Sequence, residues 1–283
     1  MRFLLKLIPL VIFLSIHAKA LTNSTANEEP SFQNNVLISA IVLGDNGDEV
    51  NGYCNATLLS NQVLITAAHC LAESLALSKN RLHLEVGAYK YVNRKIDGKL
   101  VRIGFVPYLK KDLSAHFILS KYLQNKILSQ GVKVQIPPGE DVALILLNEK
   151  LELEPNFIFA NIVPQKIWLV VKQNLSSALF QIVSINYWDT NTTDFKRSAV
   201  LNSFSYNGGG WIESRSTSRV EEGDSGSPVY IRFQNHDYLA AVVKGKASNI
   251  FSNWDVMASL SSKACNIARE NALNAETLNL VCH

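Results

Sequence analysis

The sequence predicts an all-β protein, on three observations. Around a dozen short apolar runs of strand length are spread along the 283 residues. Turn residues separate them, most clearly Asp45-Asn46-Gly47 and Asn207 with its three following glycines. The composition, 47% apolar and 18% charged, is that of a folded globular chain and excludes a disordered, collagen-like or coiled-coil protein. Strands so short and numerous argue a barrel or a sandwich.

The chain opens with Arg2 and Lys6, runs apolar from Leu7 to Ile16 and closes this stretch on Ala18-Lys19-Ala20. Positive, then apolar, then small residues two apart is the order of a secretory signal, expected over 1–20. The apolar run is shorter than the about 20 residues a bilayer span needs, so no stable membrane anchor is expected. Removing Arg2, Lys6 and Lys19 from 27 basic residues leaves 24 against 24 acidic ones. A neutral mature chain gives no reason to expect nucleic acid as a partner. Residues 21–35 are polar and read as a flexible lead or short propeptide.

A first group of strands is expected at Val36–Leu43, Tyr53–Leu59, Val63–Ala67, Leu82–Val86, Leu100–Val106 and Asp141–Leu147. A second is expected at Lys166–Val171, Leu179–Ile185, Ala199–Tyr206, Pro228–Phe233 and Tyr238–Val243. Val229, Ile231 and Phe233 alternate with Tyr230 and Arg232, the period of a half-buried strand. Residues 112–130 break the pattern. There Phe117, Leu119, Tyr122, Leu123, Ile127 and Leu128 fall at near-helical spacing, predicting a helix or long excursion within about 107–136. A Ser cap at 261, followed by Ala264, Ile267, Ala268 and Leu273 along one face, predicts a terminal helix in 261–283.

Four cysteines in an exported chain are expected to pair. Three connectivities are possible, and the two local pairs are favoured, Cys54 with Cys70 and Cys265 with Cys282. Closing a loop of about 15 residues contributes roughly 3 kcal/mol in the chain-entropy account. No C-x-x-C or H-x-x-x-H spacing occurs, so no metal is expected. Glycosylation sequons begin at Asn23, Asn55, Asn174 and Asn191.

Three strings carry chemistry. Leu64-Ile65-Thr66-Ala67-Ala68-His69-Cys70 runs an apolar strand into a small-residue turn that presents a histidine. Asp141-Val142-Ala143-Leu144 puts an aspartate at the mouth of an apolar strand, and Gly223-Asp224-Ser225-Gly226-Ser227-Pro228 puts a serine in a glycine-flanked turn. Alone, each reads as a core histidine, a strand-end cap or a simple turn. Together and in this order they resemble the trypsin/chymotrypsin-like serine peptidases, whose signatures are T-A-A-H-C, D-[IV]-A-L and G-D-S-G-[GS]-P. The first is matched in full at 66–70, the second at 141–144, and the third at 223–228 with Ser227 where glycine is commoner. The resemblance covers about Val36 to Asn274 and is firm around the three strings. An α/β-hydrolase is disfavoured, because it needs G-x-S-x-G and the order serine, acid, histidine.

The resemblance implies two six-stranded antiparallel β-barrels, over 36–155 and 156–260, with a cleft between them and a C-terminal helix. It implies a secreted endopeptidase, extracellular or, in a Gram-negative source, periplasmic. The enzyme would act as a monomer on a protein or peptide substrate, without a cofactor. Ser225 would be the nucleophile, His69 the general base and Asp141 the group that orients His69. The backbone N–H groups of Gly223 and Ser225 would form the oxyanion hole, and Cys54–Cys70 fits the family's bridge beside the histidine.

Departures are visible too. No I-V-G-G-like start lies between Leu21 and Val36, so Asp224 must find a partner other than a freed N-terminal amine. Glu221 stands where a cysteine four residues before the serine is usual, and 71 residues separate His69 from Asp141. Ungapped counting puts Arg219 at the base of the primary pocket and Lys244 and Lys246 on its opposite wall. Three cations there predict a preference for an acidic residue before the scissile bond. The alternative function is a catalytically inactive homologue that binds a protein or glycan in the same cleft.

Overall fold

The computed structural model describes residues 25–26, 33–43, 49–72, 82–87, 89–96, 99–107, 113–131, 134–175, 179–185, 196–201, 204–216, 220–248, 253–260 and 262–282. The expected signal segment, the Asn23 and Asn191 sequons and Arg219 lie outside the described residues. In chain order the first strands are β1 (Thr25–Ala26), β2 (Asn35–Leu43), β3 (Glu49–Leu58), β4 (Val63–Thr66), β5 (Leu82–Gly87), β6 (Tyr89–Ile96), β7 (Lys99–Pro107), β8 (Leu113–Ile118) and β9 (Ala143–Leu147). Then follow β10 (Phe180–Ile185), β11 (Lys196–Leu201), β12 (Phe204–Asn207), β13 (Trp211–Ser214), β14 (Pro228–Phe233), β15 (His236–Ser248) and β16 (Asn253–Ser259). The helices are α1 (Lys121–Gln130), α2 (Gln165–Gln173), α3 (Lys263–Glu270) and α4 (Ala275–Val281).

Six of the strands close a barrel in the order β2-β3-β4-β9-β8-β5. Every residue of β4 is buried, and β8 alternates, with Leu113 and Ala115 inward and Ser114 and His116 outward. Val36, Ile38, Leu58, Leu64, Leu113 and Ile145 fill its interior. The other half is an eight-stranded antiparallel sheet, β1-β11-β10-β14-β15-β16-β13-β12, and β6 and β7 form a separate ribbon. The fold is therefore all-β with a few helices. One of the two expected barrels is closed, and the other half is an open sheet order.

A middle core joins the halves. Leu59, Ile65 and Leu144 of the barrel pack with Val183, Leu239 and Val242 of the sheet and with Ala264, Ile267 and Val281 of the terminal helices. Three buried asparagines cross the same seam. Asn34 accepts a hydrogen bond from the Tyr230 hydroxyl, Asn35 donates to the Val183 carbonyl at 2.9 Å, and Asn55 reaches Ile185 and Gly223. Buried amides of this kind are costly unless paired, so they hold the two halves in one relative position.

One expectation needs correction and three gain detail. Lys166–Val171 is helix α2, not a strand. Trp168 and Val171, three apart, are buried while Lys166 and Val170 are not, so only one helical face meets the core. The excursion at 112–130 divides into strand β8 and helix α1, whose Ser120 cap accepts the Leu123 N–H at 3.3 Å. The terminal helix is two helices. The chain turns at Ala272, with φ +51°, and Asn274 caps α4 by accepting the Thr277 N–H at 2.8 Å. Finally, part of the lead is ordered, since Thr25 and Ala26 pair with Ser198 and Arg197 as strand β1.

Both expected disulfides are present, Cys54–Cys70 and Cys265–Cys282. They place the chain in an oxidising, non-cytoplasmic compartment. Among the described residues no helix is long and apolar enough to cross a membrane.

Candidate active site

His69 begins a helical turn directly after β4, and Asp141 ends the 3₁₀ turn Pro138–Glu140 just before β9. Because β4 pairs with β9, with Thr66 opposite Ala143, the two side chains leave adjacent strands at the same end of the barrel. The Asp141 carboxylate takes two hydrogen bonds from His69. The backbone N–H donates to Oδ1 at 2.8 Å, and the ring Nδ1 lies 2.8 Å from Oδ2. A carboxylate only accepts, so a ring proton sits on Nδ1, and in the neutral ring Nε2 carries the lone pair.

Asp141 is fully buried. Burial alone would raise its carboxyl, but the His69 hydrogen bonds and the charges of His69 and Lys244 outweigh that and hold it below the ordinary carboxylate value. A depressed carboxyl contributes stability above its unfolded value, about pH 4, and loses it as the pH falls through the lower folded value. Melting temperatures of wild type and Asp141→Asn should therefore differ at neutral pH and converge on acidification below about pH 4. A constant difference down to pH 2 would contradict this.

Ser225 comes from the other half, in the turn before β14. It is tied to the segment that leads into His69 through Asn55, the neighbour of Cys54. The Asn55 N–H donates to the Ser225 carbonyl at 2.7 Å, and the Thr66 hydroxyl donates to the Asn55 carbonyl at 2.6 Å. Cys54 is in turn bridged to Cys70, beside His69. Gly226 lies against this junction with φ +78°. A Cβ there would sit 2.0 Å from the Asn55 carbonyl oxygen and 2.3 Å from the Thr66 hydroxyl. On the other side, the Gly226 N–H donates to the Val243 carbonyl at 2.8 Å, next to Lys244. The three predicted strings thus meet at one place. Among the described residues the Ser225 hydroxyl has no hydrogen bond to His69, whose Nε2 lies 4.0 Å from the Cys70 sulfur.

Residues Glu221–Asp224 form a β-turn closed by the Asp224 N–H on the Glu221 carbonyl at 3.2 Å. Gly223, with φ +96° at the third position, makes it type II. Among the described residues the N–H groups of Gly223 and Ser225, two residues apart in consecutive turns, are bonded to no backbone acceptor. Asp224, fully buried, accepts from the Ser184 hydroxyl on Oδ1 at 2.5 Å and from the Glu221 N–H on Oδ2 at 2.7 Å. Asn55 Nδ2 adds a bond to the Gly223 carbonyl at 2.9 Å. The turn is held from inside the protein by Ser184 and Asn55. Deleting one such buried donor costs about 1–3 kcal/mol. Ser184→Ala should accordingly lower the melting temperature by several degrees, and an unaltered melting temperature would remove this role.

Two of the three expected pocket cations, Lys244 and Lys246, are occupied. Lys244 Nζ is 3.0 Å from Asp141 Oδ2 and 3.0 Å from the Ile136 carbonyl oxygen. Lys246 Nζ is 2.5 Å from Oε2 of Glu221, the residue that stands where the resemblance has a cysteine. A cavity of about 440 Å³ opens beside His69, lined by Ala72, Val134, Ile136, Lys244, Gly245 and Lys246.

Compared with known protein families the sequence matches none, and the curated proteins give no match either. The sequence signals missed Asn55, which reads there only as a sequon. Its side chain is fully buried and hydrogen-bonded, so the folded chain cannot carry a glycan on it. Ser184 and the contact of Lys244 with Asp141 were also missed, and no local pattern marks either. The only group of possible metal ligands among the described residues is Cys54, His69 and Cys70, and both sulfurs are spent in the disulfide.

Proposed function

We propose that this chain is a secreted serine endopeptidase of the trypsin/chymotrypsin-like kind. The observation that carries the reading is the Asp141–His69 pair, with its base nitrogen left open, against a disulfide-pinned segment that also binds the Ser225 turn. The closed barrel and the antiparallel sheet joined across the site support the two-barrel architecture. The disulfides and the signal-like start support export.

In this mechanism Ser225 Oγ attacks the peptide carbonyl carbon while His69 Nε2 takes the hydroxyl proton. The carbonyl oxygen becomes an oxyanion between the N–H groups of Gly223 and Ser225, a type of contact worth roughly 3–4 kcal/mol per donor. His69 then gives the proton to the leaving amine nitrogen, the C–N bond breaks and an acyl ester on Ser225 remains. Water, deprotonated by the same nitrogen, attacks the ester and frees Ser225 and the acid. No cofactor enters these steps.

A second reading, a non-catalytic binding homologue, draws on the missing Ser225–His69 hydrogen bond. Incubating the mature protein with a proteome-derived peptide library and sequencing the products separates the two. The peptidase reading expects new termini that vanish with Ser225→Ala, and an uncut library would contradict it. The preference for acidic residues now hangs on Arg219, since Lys244 and Lys246 face carboxylates of the protein itself. Cuts confined to Asp or Glu would support it.

A further inference from the structure

We propose that Lys244 is a positioning residue for the Asp141–His69 pair and extends the working range of the enzyme toward acid, an inference that rests on the peptidase reading above. The backbone is built to deliver it. In the β15–β16 ladder Val243 pairs with Met257 and Gly245 with Val256, so Lys244 is the extra residue of a β-bulge. Bulges re-aim a side chain, and they concentrate beside active sites. This one sends an ammonium to Asp141 Oδ2, the same oxygen that His69 Nδ1 approaches at 2.8 Å. The Ile136 carbonyl takes a second proton of the ammonium and fixes its position.

The surroundings leave Lys244 as the cation that acts here. Lys246 lines the same cavity, but its ammonium is paired with Glu221. Glu140, next to Asp141 in the chain, is paired with Lys263 and accepts from the Ser120 hydroxyl. Among the described residues no other charged group touches Asp141 or His69. Lys244 is three-quarters buried and Asp141 wholly so, which keeps solvent screening of this contact low.

The consequence is electrostatic. When His69 takes the Ser225 proton, the imidazolium is stabilised by the facing carboxylate. An ammonium on the same oxygen offsets part of that carboxylate's charge and repels the ring's positive charge. The proton is then held less tightly and passed on more readily, and more acid is needed to block the base. Lys244 also pins Oδ2, which limits rotation of the carboxylate away from Nδ1. In a chain with aspartate and histidine alone, the acid limb of the rate would lie higher.

The test is the pH dependence of labelling by a fluorophosphonate serine-hydrolase probe, using the mature chain, Lys244→Met and Lys244→Arg. Each profile is normalised to its own alkaline plateau. Lys244→Met should move the acid limb up by about one pH unit, and Lys244→Arg should keep it near the wild-type position. If Lys244→Met coincides with wild type, the inference is overturned while the peptidase reading stands. Failure of the wild type to label overturns both. Should Lys244→Met fail to fold, by its melting curve, Lys244→Arg decides: a retained acid limb supports the role of charge, and a displaced one overturns it.

Discussion

Asp141→Asn is expected to lower kcat/KM for peptide hydrolysis about 10⁴-fold. The wild-type carboxylate accepts from the His69 backbone N–H and from Nδ1 with separate oxygens. An amide offers one acceptor oxygen and one NH2 donor. If its oxygen keeps the backbone N–H, the NH2 faces Nδ1, and the ring must move its proton to Nε2. The nitrogen that should accept the Ser225 proton is then already protonated. The substitution also strips Lys244 of its carboxylate partner, and an ammonium left buried and unpaired costs stability in addition. A variant that keeps a tenth or more of wild-type kcat/KM would show that Asp141 does not set the tautomer of His69.

Gly226→Ala is the substitution expected to damage the protein most at the least change in size. Its Cβ would overlap the Asn55 carbonyl oxygen and the Thr66 hydroxyl, both part of the junction between the halves. The backbone there has φ +78°, a region that strains any residue with a side chain. Strain and overpacking together amount to about 3 kcal/mol or more. Relief requires the Ser225–Gly226 segment to back away, which breaks the Asn55 bond to the Ser225 carbonyl and moves Ser225. The expected result is a melting temperature lower by several degrees together with loss of probe labelling. A variant that melts and labels like wild type would mean that the turn does not pack as described.

How far the sequence disclosed this arrangement depends on whether a feature is local. The strings around His69, Asp141 and Ser225 are short segments whose residue types carry their own meaning, and the fold brings all three together. The strand at Pro228–Phe233 and the two local disulfides were legible for the same reason, although β14 is buried on both faces at Val229, Tyr230 and Ile231 and not half-buried as its alternation implied. Helix α2 was not. Its six-residue core of Lys166–Val171 is rich in β-branched and aromatic residues, and only the packing of Trp168 and Val171 decides for a helix. Asn55 and Ser184 are 129 positions apart, and Lys244 and Asp141 are 103 apart. Contacts at such separation follow from a bulge and from the docking of two halves, and neither leaves a periodic trace. The partner of Asp224 shows the gap well. The missing I-V-G-G-like start implied a replacement, yet nothing near residue 224 named Ser184 as part of it.

The lead and the C-terminus follow the same logic. Polar composition made residues 21–35 look unstructured, but an exposed edge such as β11 accepts any short segment that can offer backbone hydrogen bonds, and Thr25–Ala26 does. At the other end, the helical hairpin closed by Cys265–Cys282 supports the site from behind. Glu270 accepts the Lys121 N–H at 2.9 Å, and Lys263 holds Glu140 immediately before Asp141.

The most direct test of the central claim is covalent labelling of the purified mature protein by a fluorophosphonate probe, beside Ser225→Ala. An activated serine predicts stoichiometric labelling of the wild type, its loss in the variant, and the adduct on the Ser225 peptide by mass spectrometry. A wild type that stays unlabelled, or a Ser225→Ala variant that labels equally, would contradict the account.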